Sequence, residues 1–81
     1  MATFHLTIAR LGERLYDGEV KSVVLPGREG VFTVLARHEP MVAELRAGKV
    51  RLEDAAGARQ EFELSSGGLA EVSGNQATIL L

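Results

Sequence analysis

The sequence predicts a single all-β domain, a sandwich or barrel of short strands without a substantial helix. Three observations lead there: an apolar pattern of mostly period two, turn residues at short intervals, and no window with a sustained helical stripe. The length allows one domain, residues 1–81, and not two. With 46% hydrophobic and 25% charged residues, there is enough apolar surface to fold, though the core of so short a chain is small.

The strands announce themselves in order. Phe4, Leu6 and Ile8 alternate with Thr3, His5, Thr7 and Ala9, giving a first strand with one buried face. Val50 and Leu52 alternate with Lys49, Arg51 and Glu53, and Phe62 and Leu64 with Glu61 and Glu63. The segment from Gln76 to Leu81 is rich in strand formers. Turn signals at Gly12, Asp17-Gly18, Pro26-Gly27, Gly30, Gly48, Gly57, Gly67-Gly68 and Gly74-Asn75 divide the chain. Pro40 to Arg46 is the best helical candidate and is too short to be stable alone.

Some segments do not fit a sheet with one wet face. Val23, Val24 and Leu25 are consecutive, while Val31, Phe32, Val34 and Leu35, and likewise Met41, Val42 and Leu45, place apolar groups on both strand faces. Such strands are doubly covered or present a patch outward. Part of the Val20–Arg46 half is therefore expected to form a protein-binding surface, the alternative being a distorted core or barrel corner.

Several chemistries find little support. The formal charge of −2 and scattered basic residues provide no field for nucleic acid. The chain has no cysteine for a disulfide or thiolate site. No stretch approaches the roughly 20 apolar residues of a membrane span, and the N-terminus lacks secretory character. His5 lies on the polar parity of its strand and reads as a solvated surface residue. His38 precedes a proline-marked turn, without a second histidine or cysteine at ligand spacing. Gly27-Arg28-Glu29-Gly30 is followed by a β-type run instead of the helix that a phosphate loop needs. Ser65-Ser66-Gly67-Gly68 lacks the frame of a nucleophile elbow and reads as a bulge or close backbone approach. Neither lysine sits in a lipoyl or biotinyl context. No catalytic residue, cofactor or metal is expected. A small ligand-binding β-module remains the alternative to an assembly role, although three Phe, one Tyr and no Trp make a poor stacking platform.

The order of motifs resembles the N-terminal domain of the ATP synthase epsilon chain. The resemblance runs through Phe4–Ile8, Leu15-Tyr16-Asp17-Gly18-Glu19-Val20, Val24-Leu25-Pro26-Gly27-Arg28-Glu29-Gly30 and Val34–Val42. It continues through Ala47-Gly48-Lys49-Val50-Arg51, Ser65-Ser66-Gly67-Gly68-Leu69-Ala70-Glu71-Val72 and Ala77–Leu80. It implies a flattened sandwich of about ten mostly antiparallel strands. It also implies a non-catalytic rotor subunit of the central stalk, helping to couple ion translocation to ATP synthesis. The implied partners are the gamma subunit and the c-subunit ring, at the cytoplasmic face of a bacterial inner membrane.

By resemblance, Arg28, Glu29, Gly30, Val31, Arg37 and His38 face the ring. Met41, Val42 and Leu45 are expected to face gamma because their apolar groups would otherwise stay uncovered. Ala36-Arg37-His38 departs from the family's Pro-Gly-His or Pro-Asn-His, Val31 replaces a polar or acidic residue, and the small residue often found near Thr33 is absent. The family's C-terminal helical hairpin lies beyond Leu81, so neither ATP binding nor hairpin-based inhibition is expected of these residues.

Overall fold

The structure, a computed structural model, describes residues 2–81. Eight strands fill it: β1 (Phe4–Arg10), β2 (Glu13–Gly27), β3 (Gly30–Leu35), β4 (Met41–Leu45), β5 (Gly48–Asp54), β6 (Arg59–Leu64), β7 (Gly68–Ser73) and β8 (Gln76–Leu80). The class is all-β as expected, with eight strands in place of about ten because one long strand spans what the turn signals would have divided.

That strand is β2, fifteen residues long. Its first part pairs with β1 from Glu13 to Val20. Its last part holds β3 on one side and β5 on the other, and touches β4 where Gly27 faces Leu45. Strands β1, β8, β7 and β4 continue around from the first part, so the ring β1-β8-β7-β4-β2 closes on itself, and β5-β6 extends from β2. The β1–β8 pairing is parallel, and the others are antiparallel.

Two irregularities let β2 serve both layers. The register slips between Ile8 and Ala9, leaving Leu15 as an extra residue opposite β1. It slips again between Val20 and Ser22 against β5. This second bulge changes parity: Val20 is buried, and the next fully buried residues are Val23 and Leu25. A bulge bends a strand and re-aims its side chains, which is how one strand crosses from one layer to the next.

The Asp17-Gly18 pair is therefore no turn but the middle of β2. Gly18 is small because the Tyr16 ring lies across it, with the phenol oxygen 3.2 Å from where a Cβ would stand. Tyr16 in turn meets Phe62 edge-on, with ring centroids 6.1 Å apart, and so ties β2 to β6. Pro26-Gly27 likewise ends the strand, and the turn itself is Arg28-Glu29. Other punctuation acts as read. Gly74 and Asn75, with φ of 55° and 59°, form the left-handed pair of a tight hairpin joining β7 to β8. The Asp54 carboxylate accepts the Ala56 and Ala58 amides, both at 2.9 Å, and so organises the β5–β6 loop. Pro40–Arg46, the helical candidate, contains strand β4.

One core fills the interior. Phe4, Leu6, Ile8, Leu25, Val34 and Ile79 are among its fully or almost fully buried members. Each large apolar side chain contributes about 1.5–3 kcal/mol by leaving water. Leu45 belongs to this core at 6% exposure, which corrects the expectation that it presents an outward apolar group. The side chain points inward because Leu45 lies two positions from the half-buried Ala43 on the same face of β4.

The paired glycines at the start of β7 permit close backbone approach. A Cβ on Gly67 would overlap the Leu45 carbonyl oxygen, and one on Gly68 the Leu80 carbonyl oxygen. Both obstacles are backbone, which cannot rotate away. Gly68→Ala is expected to lower unfolding free energy by about 2–3 kcal/mol, read from the urea midpoint at unchanged slope.

Candidate docking surfaces

The side chains able to meet a partner lie mainly along β3 and β4. Val31, Thr33 and Leu35 alternate outward on β3, with Val31 at 74% and Leu35 at 56% exposure. On β4, Val42 is 64% exposed and Met41 half-buried against the core. The half of the chain expected to carry an apolar surface does carry one, with Val23, Leu25, Val34 and Leu45 turned inward beneath it. Between the β2–β3 hairpin and β4 runs an open groove of about 560 Å³, with Phe32 and Met41 half-buried along it and Arg28 and Glu29 at the hairpin tip. An Arg28–Glu44 ion pair bridges it. His38 does not line this groove, and its Nδ1 instead donates to the Glu39 carbonyl at 2.9 Å.

The residues expected to face the ring fall into two groups. Arg28, Glu29, Gly30 and Val31 form the tip of the β2–β3 hairpin, where Gly27 pairs with Gly30. Arg37 and His38 lie in the turn beyond Leu35, at the opposite end of β3. A partner reaching both must lie along the strand. Arg37 has φ of 61°, a left-handed conformation that glycine or asparagine adopts more readily, and its amide donates to Asn75 Oδ1 at 2.9 Å. The Gly or Asn common in the resembled motif would meet this backbone demand directly.

A second apolar area was not legible in the alternation. Leu69 of β7 stands opposite Leu80 of β8, which stands beside Ala9 of β1. With Leu81, whose side chain lies beside Gly68, they form an apolar region outside the half of the chain that the sequence singled out.

The most concentrated set of polar groups surrounds His5. Its two ring nitrogens meet the carboxylates of Asp17 and Glu19, the latter at 3.1 Å. Thr3 donates to Glu19 at 3.0 Å, and Arg14 to Asp17 at 3.0 Å. His5 is thus an outward, half-exposed residue held as a cross-strand ion pair, a role visible only once β1 is registered against β2. Contact of both ring nitrogens with carboxylates favours the doubly protonated ring, in which each nitrogen donates. Among the described residues, no group of His, Cys, Asp or Glu could hold a metal ion. No helix among the described residues is long and apolar enough to cross a membrane.

Comparison with known proteins gives this surface a context. Residues 3–81 match the family model of the ATP synthase delta/epsilon chain β-sandwich domain. The chain is 39% identical over 80 residues to the ATP synthase epsilon chain of Polaromonas naphthalenivorans, covering 99% of this chain and 57% of that one. It is 42% identical over 77 residues to the epsilon chain of Chlorobaculum tepidum, covering 95% and 86%. The chain thus spans little more than half of the first relative and most of the second. Its fold superposes with a TM-score of 0.90 and 29% identity on a chain in a structure of Euglena gracilis mitochondrial ATP synthase with OSCP, F1 and c-ring, covering 99% of this chain and 51% of that one. A chain of the Tetrahymena thermophila mitochondrial ATP synthase central stalk and c-ring, 14% identical with a TM-score of 0.75, shares the fold over 94% of this chain and 60% of its own length.

The His5 cluster has a defined pH signature. Hydrogen bonding to Asp17, then to Glu19, raises the His5 pKa above its ordinary 6.5. The His5 hydrogen bond lowers that of Asp17 below 3.8. The raised pKa means that the His5 contribution is fully present below pH 6.5 and is lost as pH rises through the folded value. The depressed Asp17 pKa gives stability above pH 3.8 that is lost as pH falls through the folded value. Wild type should exceed His5→Gln in urea midpoint at about pH 5.5, and the gap should narrow by about pH 8.5. A constant gap across that range would contradict the ion-pair assignment.

Proposed function

The chain belongs to the ATP synthase delta/epsilon chain β-sandwich family, and from that premise we propose that it is a non-catalytic rotor subunit of the central stalk. In this role it docks on gamma and the c-ring and helps couple ion translocation to ATP synthesis. The observation that carries the reading is the family match across residues 3–81, joined to the superposition on a chain within an F1/c-ring structure. The surface supports it physically. The large groove is open, and the exposed apolar side chains of β3 and β4 suit a protein partner.

In this reading the ring meets the line of β3 through Arg28, Glu29, Gly30 and Val31 at one end and Arg37 and His38 at the other. Gamma meets β4, where Val42 is the exposed contact and Met41 lies half-buried behind it. Leu45 serves the core and supports this face from within. The complex would act at the cytoplasmic face of a bacterial inner membrane, reached through its partners.

The test is a binding titration of the 81-residue chain against the gamma subunit of the same organism. Binding at about a micromolar dissociation constant or tighter is expected. Val42→Asp should weaken it by at least about tenfold while leaving the thermal unfolding midpoint nearly unchanged. A folded chain that fails to bind at tens of micromolar would count against gamma docking through this domain.

A further inference from the structure

We propose that the isolated chain forms a two-fold dimer by pairing β3 of one copy antiparallel with β3 of a second. Among the described residues, strand β3 hydrogen-bonds with one strand, β2, and no strand pairs with its other side. Its sequence, Gly-Val-Phe-Thr-Val-Leu, holds no charge and no proline. Unpaired edges of this kind are templates for another strand, and proteins ordinarily blunt them with charges. The contrast lies within the molecule. Strand β6, which likewise has one neighbour, carries Arg59, Glu61 and Glu63 outward.

The hydrogen-bond alternation identifies which groups are unpaired. The Pro26 carbonyl accepts the Arg46 amide and the Arg28 amide donates to the Glu44 carbonyl, both at 2.9 Å. Gly27, between them, therefore turns toward Gly30. By the antiparallel alternation, Gly30, Phe32 and Val34 bond to β2, whereas Val31, Thr33 and Leu35 aim their amides and carbonyls outward. The Leu35 carbonyl already accepts the His38 amide at 3.2 Å and keeps a second lone pair.

One register satisfies all these groups. With Thr33 opposite Thr33 of the second copy, Val31 stands opposite Leu35 twice, and every outward amide of the strand finds a carbonyl. Shifting by one residue would set outward Val31 against inward Val34 and mix the faces. Shifting by two leaves outward groups unpaired at the ends. The same register sets Glu29 of each copy across from Arg37 of the other, so the seam closes with opposite charges at both ends. Parity alone selects the strand match, and the charges fall into place independently of it. The two-fold axis runs perpendicular to the sheet. The open mouth with half-buried Phe32 and Met41 in one copy therefore meets its equivalent in the other.

The proposal stands apart from the rotor reading, because it concerns the chain free in solution. Docking along β3 and pairing through its edge use the same strand and exclude each other.

Sedimentation velocity over about 5 to 500 µM tests it. A reversible monomer–dimer equilibrium is expected, with the Val31, Thr33 and Leu35 amides gaining exchange protection as concentration rises. Thr33→Pro removes an outward amide without breaking a bond to β2, and should weaken the dimer by about tenfold or more while circular dichroism stays native. Glu29→Arg should weaken it by about three- to tenfold, and Glu29→Arg with Arg37→Glu should restore it. A monomer at every concentration would overturn the proposal. So would a dimer indifferent to Thr33→Pro and to charge reversal, for instance one built on the Leu69–Leu80 face.

Discussion

A single strand that belongs to both layers is the constraint on which this structure rests. Strand β2 runs fifteen residues, pairs with β1 first and with β3 and β5 later, and meets β4 at its end. Its bulge between Val20 and Ser22 reverses side-chain parity, so that Val20 and Val23 both reach the same core. Without that reversal, Val23 and Leu25 would face water and Ser22 and Val24 would enter the core, a loss of several buried side chains in a domain with one small core. The closed ring, the hanging edge of β3 and the open mouth between β3 and β4 all follow from where β2 bends.

This architecture separates stability from contact. The interior is apolar throughout, with no buried charged or polar side chain among the described residues. Polar groups lie outside in ion pairs such as His5 with Asp17 and Glu19, which organise the surface and contribute little energy at such exposure. The most exposed apolar side chains of the strands lie on the outer side of β3 and β4, where Val31, Leu35 and Val42 stand clear of the core. Strand β3, which carries part of this face, also has an open edge, so the proposed docking and the proposed self-pairing would compete for it.

Much of the fold was legible because local patterns and tertiary demands agree. The alternation of Phe4, Leu6 and Ile8 marked β1 and its buried face, and Gly74-Asn75 marked the last hairpin. Asp17-Gly18 misled because its glycine answers a packing demand, the Tyr16 ring across it, and not a turn. Leu45 misled because an apolar residue near a glycine gives no sign of which way it points until β4 is registered on β7. The pairing of His5 with Asp17 and Glu19 was invisible for a similar reason, since residues twelve and fourteen positions apart meet only through the β1–β2 register. The residues expected by resemblance to face the ring come in two segments, and the structure sets these at opposite ends of β3. Long-range register, in each case, is what a single sequence does not print.

Amide hydrogen exchange on the chain, free and after assembly with gamma and the c-ring, tests the docking account most directly. The account predicts new protection concentrated from Arg28 to Val42, with the outward amides of Val31, Thr33 and Leu35 slowed most and β6 unchanged. Protection confined to the Arg59–Leu64 edge or to the Leu69–Leu80 face, with β3 and β4 exchanging as in the free chain, would contradict it.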